Sequence, residues 1–234
     1  MTKAAQLATL NDRIIACRKC PRLVRYREEI ARVKRRAFRN ETYWGRPVPG
    51  FGDPKAQVLI LGLAPAAHGG NRTGRVFTGD RSGEFLFRML HRTGFANQPF
   101  SKRRDDSLQL KNVYIVAAIR CAPPANKPLP EEIRNCRPFL QEEMENLGPR
   151  AVLALGKIAF DAYLALLVEQ GRIRSRTPFQ FAHGASYRLP GGLPRLFAAY
   201  HPSQQNTLTG RLTPAMFLSV LRQLRRYLSS GASS

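Results

Sequence analysis

A buried-strand run that opens into a long glycine-rich turn and then a helix constrains this chain more than any other feature. Val58, Leu59, Ile60 and Leu61 have the length and β-branched content of a buried strand. The turn that follows, as far as Asp80, contains Gly62, Gly69, Gly70, Gly74 and Gly79. Glycine permits positive φ and close backbone approach to a ligand. Asp80 then precedes SGEFLFRML, in which Phe85, Leu86, Met89 and Leu90 recur at helical spacing. An Asp in that position is an N-cap signal. Strand, glycine-rich loop and helix N-terminus in this order predict an open α/β sheet with a ligand site beyond its carboxyl edge. A helix N-terminus there favours negative charge. Ordinary strand-to-helix connections take about two to six residues, and this one is roughly three times as long.

Three further apolar runs read as strands: Asn112 to Ile119, Arg150 to Leu155, and Leu196 to Tyr200. The first leads into RCAPPANKP at Arg120 to Pro128, and the last delivers His201-Pro202-Ser203. Helical patterns fall between them, one opening after Leu129 with Pro130, Glu131 and Glu132 in its first turn. Pro138 is expected to break or kink that helix just after Cys136. Another helix follows Gly156, and a last one runs from about Pro214 to Leu228. Leu7, Leu10 and Ile14 mark a helix near the amino terminus, and Ile30 and Val33 suggest a second. Residues 39–52 and 170–194 are rich in Pro and Gly and read as loops, the latter as loop or hairpin with His183 in a turn. Tyr43 and Trp44, in the first of these loops, are expected to cap the core rather than stack on a base. Strands alternating with helices predict an α/β fold, a three-layer α/β/α sandwich around a central four-stranded parallel sheet. One domain over residues 1–234 is expected, with residues 1–40 as a helical segment that supplies two cysteines.

Charge narrows the function classes. The 234 residues carry 38 Lys and Arg against 16 Asp and Glu, a net +22. The resulting pI near 11.1 is the electrostatic footprint of a nucleic-acid binder. Arginines cluster at 32–39, 103–104, 172–176 and 222–226. That spread fits a face that tracks phosphates better than a basic tail. No apolar run reaches the ~18 residues a membrane span requires, and the amino terminus lacks a signal-peptide core. A cytoplasmic protein without a membrane partner is expected.

The four cysteines are Cys17, Cys20, Cys121 and Cys136. A C-x2-C pair, a long gap and a wide second pair suggest one shared site, and disulfides are disfavoured in the cytoplasm. Residue spacing leaves open an iron–sulfur cluster, a zinc ion or free thiols.

Taken together, GLAPAAHGGNRTGRVFTGD at Gly62 to Asp80, RCAPPANKP, HPSQQNT at His201 to Thr207 and the cysteine spacing resemble the uracil-DNA glycosylase superfamily. The likeness is greatest to its iron–sulfur branch, known as family 5 or type B, and covers Cys17 to the carboxyl terminus. The resemblance implies a 4Fe-4S cluster on Cys17, Cys20, Cys121 and Cys136. It implies hydrolysis of the N-glycosidic bond of uracil and other deaminated bases, hypoxanthine included, in single- or double-stranded DNA, by a monomer. It implies that a flipped base stacks on Phe77 and is read by Asn126 and the backbone of Gly62, Leu63 and Ala64. Ser203 and Asn206 of the HPSQQNT motif complete the substrate-binding set. His201 would stabilise charge on the leaving base, and Asp80 would orient water. The chain also departs from its relatives. Ala64 and Ala66 stand where other branches place a water-positioning carboxylate or amide, Ala117 stands where related branches have Asn, and Val76 replaces a common Pro. Lys127 of RCAPPANKP is the one lysine in these motifs, and a Schiff-base step is not expected. The alternative is a nucleic-acid-binding module with a cluster or zinc and no catalysis. Turnover on a uracil oligonucleotide separates the two.

Overall fold

The computed structural model describes residues 1–230. In chain order its elements are α1 (Lys3–Ile15), α2 (Pro21–Val33), β1 (Phe51–Gly52), β2 (Val58–Gly62), α3 (Gly70–Thr73) and α4 (Arg81–Arg92). They continue with β3 (Val113–Ala117), α5 (Pro130–Leu147), β4 (Ala151–Leu155) and α6 (Lys157–Glu169). β5 (Ser186–Tyr187), β6 (Arg195–Ala199), α7 (Gln204–Leu208) and α8 (Pro214–Ser230) complete them.

The sheet has the order β1-β3-β2-β4-β6-β5. Its four central strands are parallel, in the register Ile60 opposite Ile115 and Leu153 opposite Phe197. The expected four-stranded core is present, and the sheet is wider by one antiparallel two-residue strand at each edge. Both edge strands come from stretches read as loops. Two residues are too few to carry an alternating pattern, and edges this short also give other chains little to pair with.

Every residue of β2, β3 and β4 is buried, as a sheet covered on both faces requires. Side chains alternate between two cores. Val58 and Ile60 pack with Phe85, Phe87, Leu90, Phe217 and Leu221 of α4 and α8. Leu59 and Leu61 pack with Leu140, Phe160, Tyr163 and Leu164 of α5 and α6. α1 lies on α5 through Leu10, Ile14 and Phe139. The helix that Ile30 and Val33 suggest is α2; its buried residues are Leu23, Val24 and Arg27, and Val33 is exposed. α5 runs unbroken through Pro138 to Gly148, which closes it in the left-handed region. A mid-helix proline costs about 3 kcal/mol. Burial of Cys136, Phe139 and Leu140 on either side of it is of a size to offset that cost. Among the described residues no helix is long and apolar enough to cross a membrane.

Candidate active site

The carboxyl ends of β2, β3 and β6 open onto a cavity of about 530 Å³. Leu63, Ala64, Ala66, Phe77, Asp80, Ala117, Asn126, His201 and Ser203 line it. Three chain segments distant in sequence therefore meet there, as a switch-point site in an α/β sheet requires.

Phe77 sits at φ 52, an unusual left-handed backbone for a non-glycine residue. Its neighbours hold it there. Thr78 is buried and gives its hydroxyl to Val76 O at 3.1 Å. Arg75 reaches Thr78 Oγ1 at 3.0 Å, Ser101 Oγ at 2.6 Å and Asp106 Oδ1 at 2.5 Å, with its guanidinium over Phe51. Arg72 donates to His68 O at 2.8 Å and Gly79 O at 2.9 Å and pairs with Glu41. Both arginines enter the net charge of +22 but belong to none of the four arginine clusters of the sequence. In the structure they are buried braces of the loop. Strain at a site residue held by over-determined surroundings is a mark of function.

The Phe77 ring lies directly against Gly62, where an added Cβ would come within 2.8 Å of it. It faces the His201 imidazole at 5.8 Å between centroids, tilted by 32°. Gly62→Ala is therefore expected to tilt Phe77 out of place and cut the rate of the activity the resemblance implies by about tenfold or more, since small misplacements at a reacting centre are costly. An unchanged rate would show that the Phe77 position is not needed.

Asp80 caps α4, its Oδ1 accepting from Gly83 N at 2.9 Å. Its Oδ2 lies where a Cβ on Gly69 would be 2.1 Å away. Burial raises its carboxyl above the usual range, and the backbone N–H groups of Gly83 and Ser82 only partly counter this. His201 is lowered to about 4, by burial alone, so its imidazole is neutral at neutral pH. Asn126 stands exposed on the rim at φ 56, at the end of a 3-10 turn from Pro124.

Not all of the expected residues reach the cavity surface. Gly62 lies beneath Phe77. Asn206 is on the other side of His201, giving its amide to His201 O at 2.8 Å and its backbone N–H to Ser203 Oγ. Ser203 caps α7 by that bond while lining the cavity. His68 turns away, its Nδ1 bonded to Tyr43 OH at 3.0 Å. Tyr43 is buried, and Trp44 bonds Pro47 O at 3.0 Å. Pro65, Val76, Ser82, Ala125, Gln204 and Gln205 also line the cavity. All but Ser82 lie inside the three motifs, and membership of a motif is the only signal the sequence gives that they face a cavity.

The cysteines lie near the start of the first loop, where Ala64 packs against the group that holds Cys121 and Cys136. Cys20, Cys121 and Cys136 pack with Leu23 and Ile119, and Cys17 packs beside Ile14 and Phe139. They are close enough for Cys121 to feel the charge of Cys17 and Cys20, and Cys136 that of Cys121 and Cys20. Yet among the described residues no three His, Cys, Asp or Glu side chains are grouped for a single metal ion. A four-iron cube is larger than one ion and needs four thiolates. Burial pushes the Cys121 thiol up to about 11 and Cys136 to about 12, so only a bound metal would keep them as thiolates near neutral pH. The buried Arg27 and Arg120 have unpartnered guanidinium nitrogens beside them. That donor set fits an anionic cluster.

Residues 49–225 match the family model described as the uracil DNA glycosylase superfamily. A Type-5 uracil-DNA glycosylase of Thermus thermophilus is 55% identical over 91% of this chain and 94% of its own. Proteins of the same description from Mycobacterium bovis and Pyrobaculum aerophilum are 49% and 47% identical. They cover 95% and 91% of this chain, and 82% and 89% of their own lengths.

Proposed function

The chain belongs to the uracil DNA glycosylase superfamily, in its type-5 branch, and on that premise we propose how it hydrolyses N-glycosyl bonds in DNA and which bases it releases. The observation that carries this reading is the single cavity in which Phe77, His201, Asp80 and Asn126 meet. A base flipped from the stack lies against the Phe77 ring, with Asn126 at the rim offering a donor and an acceptor to its edge. As the bond from C1′ to the base nitrogen breaks, its electron pair stays on the base. Neutral His201 donates its one N–H to the carbonyl oxygen where that charge collects. Asp80 accepts from a water whose oxygen bonds to C1′, and the proton lost by that water ends on the departing base. The products are a free base and an abasic site.

Ala64, Ala66 and Ala117 leave this wall without side chains that discriminate among bases. The reading is therefore that hypoxanthine is released as well as uracil; action on single- and double-stranded DNA by a cytoplasmic monomer is carried over from the sequence reading. Single-turnover assays on oligonucleotides carrying uracil or inosine test it, with rates expected within about a hundredfold, because size alone discriminates weakly. Activity on uracil with inosine untouched would exclude the relaxed reading. No turnover on either would favour the binding module.

Cys17, Cys20, Cys121 and Cys136 would hold a 4Fe-4S cluster, which when bound ties α2 to α5 and the end of β3. Cys121→Ser is expected to yield protein with little iron and a thermal midpoint lower by several degrees, since metal binding couples to folding. Wild-type protein that is colourless and holds stoichiometric zinc would overturn the cluster.

A further inference from the structure

We propose that Arg27 and Asn71 act as one positioning link between the four-cysteine site and the wall of the base cavity. The link deepens the function proposed above and rests on it for the identity of the two sites it joins.

Arg27 is 2% exposed and lies in the middle of α2. One guanidinium nitrogen donates to Cys121 Sγ at 2.9 Å, and both terminal nitrogens reach Cys17 O at 3.3 Å. Its carboxylate neighbour, Glu28, stands 3.9 Å away and is held by Arg18 at 2.6 Å. A buried cation without a committed counter-ion is costly. A cluster held through Cys121 Sγ would supply that missing charge, while Cys17 holds Arg27 through its carbonyl oxygen, so the position of Arg27 follows the arrangement of the cysteine segment.

The backbone of the same residue reaches the other way. Arg27 O accepts from Asn71 Nδ2 at 3.1 Å, and Asn71 is fully buried in α3, inside the glycine-rich loop. Asn71 N donates to Ala66 O at 3.0 Å, and Gly45 N donates to Asn71 O at 3.0 Å. Ala66 lines the cavity. The next residue, Arg72, holds Gly79 O at 2.9 Å, one residue before Asp80. A shift of α2 at Arg27 is thus passed by one side-chain amide to both ends of the loop that carries Phe77.

A double-mutant cycle tests the link in the full-length protein. Arg27→Gln, Asn71→Ala and the pair are compared by hydrogen exchange of the segment 62–80, by single-turnover rate on a uracil oligonucleotide, and by iron per chain. Each single change is expected to speed exchange of the segment about fivefold, the weight of one buried hydrogen bond, and to slow excision. The pair is expected to do no more than either alone, and Asn71→Ala to keep wild-type iron. A pair that gives the product of the singles, about twenty-five-fold, would overturn the link, as would an Arg27 variant whose segment exchanges at the wild-type rate. Should Arg27→Gln not fold, Arg27→Lys takes its place in the same cycle. An iron-free wild-type protein would overturn the cluster alone, because the cycle measures coupling between two residues whether or not metal is bound.

Discussion

Replacing His201 with alanine is expected to lower the single-turnover rate of uracil removal by about a hundredfold or more, the weight of one donor to a developing oxyanion. DNA affinity should change little, because most of it comes from phosphate contacts. The structure prepares the residue for that role. His201 follows the end of β6, its Cβ 3.2 Å from where a Cβ on Gly156 would stand, and Asn206 grips its carbonyl. Burial alone lowers its pKa to about 4, so it takes up a proton only as pH falls through that value. Between about pH 6 and 8 it is therefore expected to be a neutral donor, with no step in rate near the ordinary histidine value of about 6.5. A step there in the wild type that vanishes in His201→Ala would show an imidazolium instead. His201→Gln keeps an N–H donor and is expected to recover part of the loss, which a merely structural histidine would not predict.

The sequence made the site-bearing frame legible because that frame is strongly patterned. The unbroken apolar runs of β2, β3, β4 and β6, and the Asp80 cap with its helix, are signals set by local chemistry. What it hid depends on burial and direction. Arg27, Arg72, Arg75 and Arg120 add to the +22 charge, and counting charges cannot show that all four lie inside. Arg72 and Arg75 brace the Phe77 loop, Arg120 pairs with the buried Glu143, and Arg27 faces a cysteine. His68 and Asn206 belong to the right motifs yet point away from the cavity, because a motif fixes where the backbone goes and packing fixes which way a side chain turns. Pro138 does not end its helix for the opposite reason: a strong local preference for a break yielded to the apolar contacts on either side of it.

The largest effect after that of His201 is expected at Asp80, where capping and water positioning make different demands on the same carboxylate. Oδ1 is already committed to Gly83 N at 2.9 Å. Oδ2, beside Gly69, is the oxygen left to accept from water at the cavity wall. Asparagine caps a helix as well as aspartate does, so Asp80→Asn should fold with a near wild-type thermal midpoint. Its amide nitrogen, however, donates where Oδ2 accepts, and excision should fall by about a hundredfold, the lower range for loss of a positioned base. Asp80→Ala removes the cap as well and should lower the midpoint by about 2–4 °C for a chain of this size. The pH profile adds a readout that capping alone would not move. Burial raises the Asp80 carboxyl above the ordinary carboxylate range, so the active anion is lost earlier than usual as the medium is acidified. Wild-type excision should therefore decline as pH falls through that raised value, while Asp80→Asn stays flat across the same window. If Asp80→Asn instead keeps most of the wild-type rate, the carboxylate is a helix cap and water is oriented by something else.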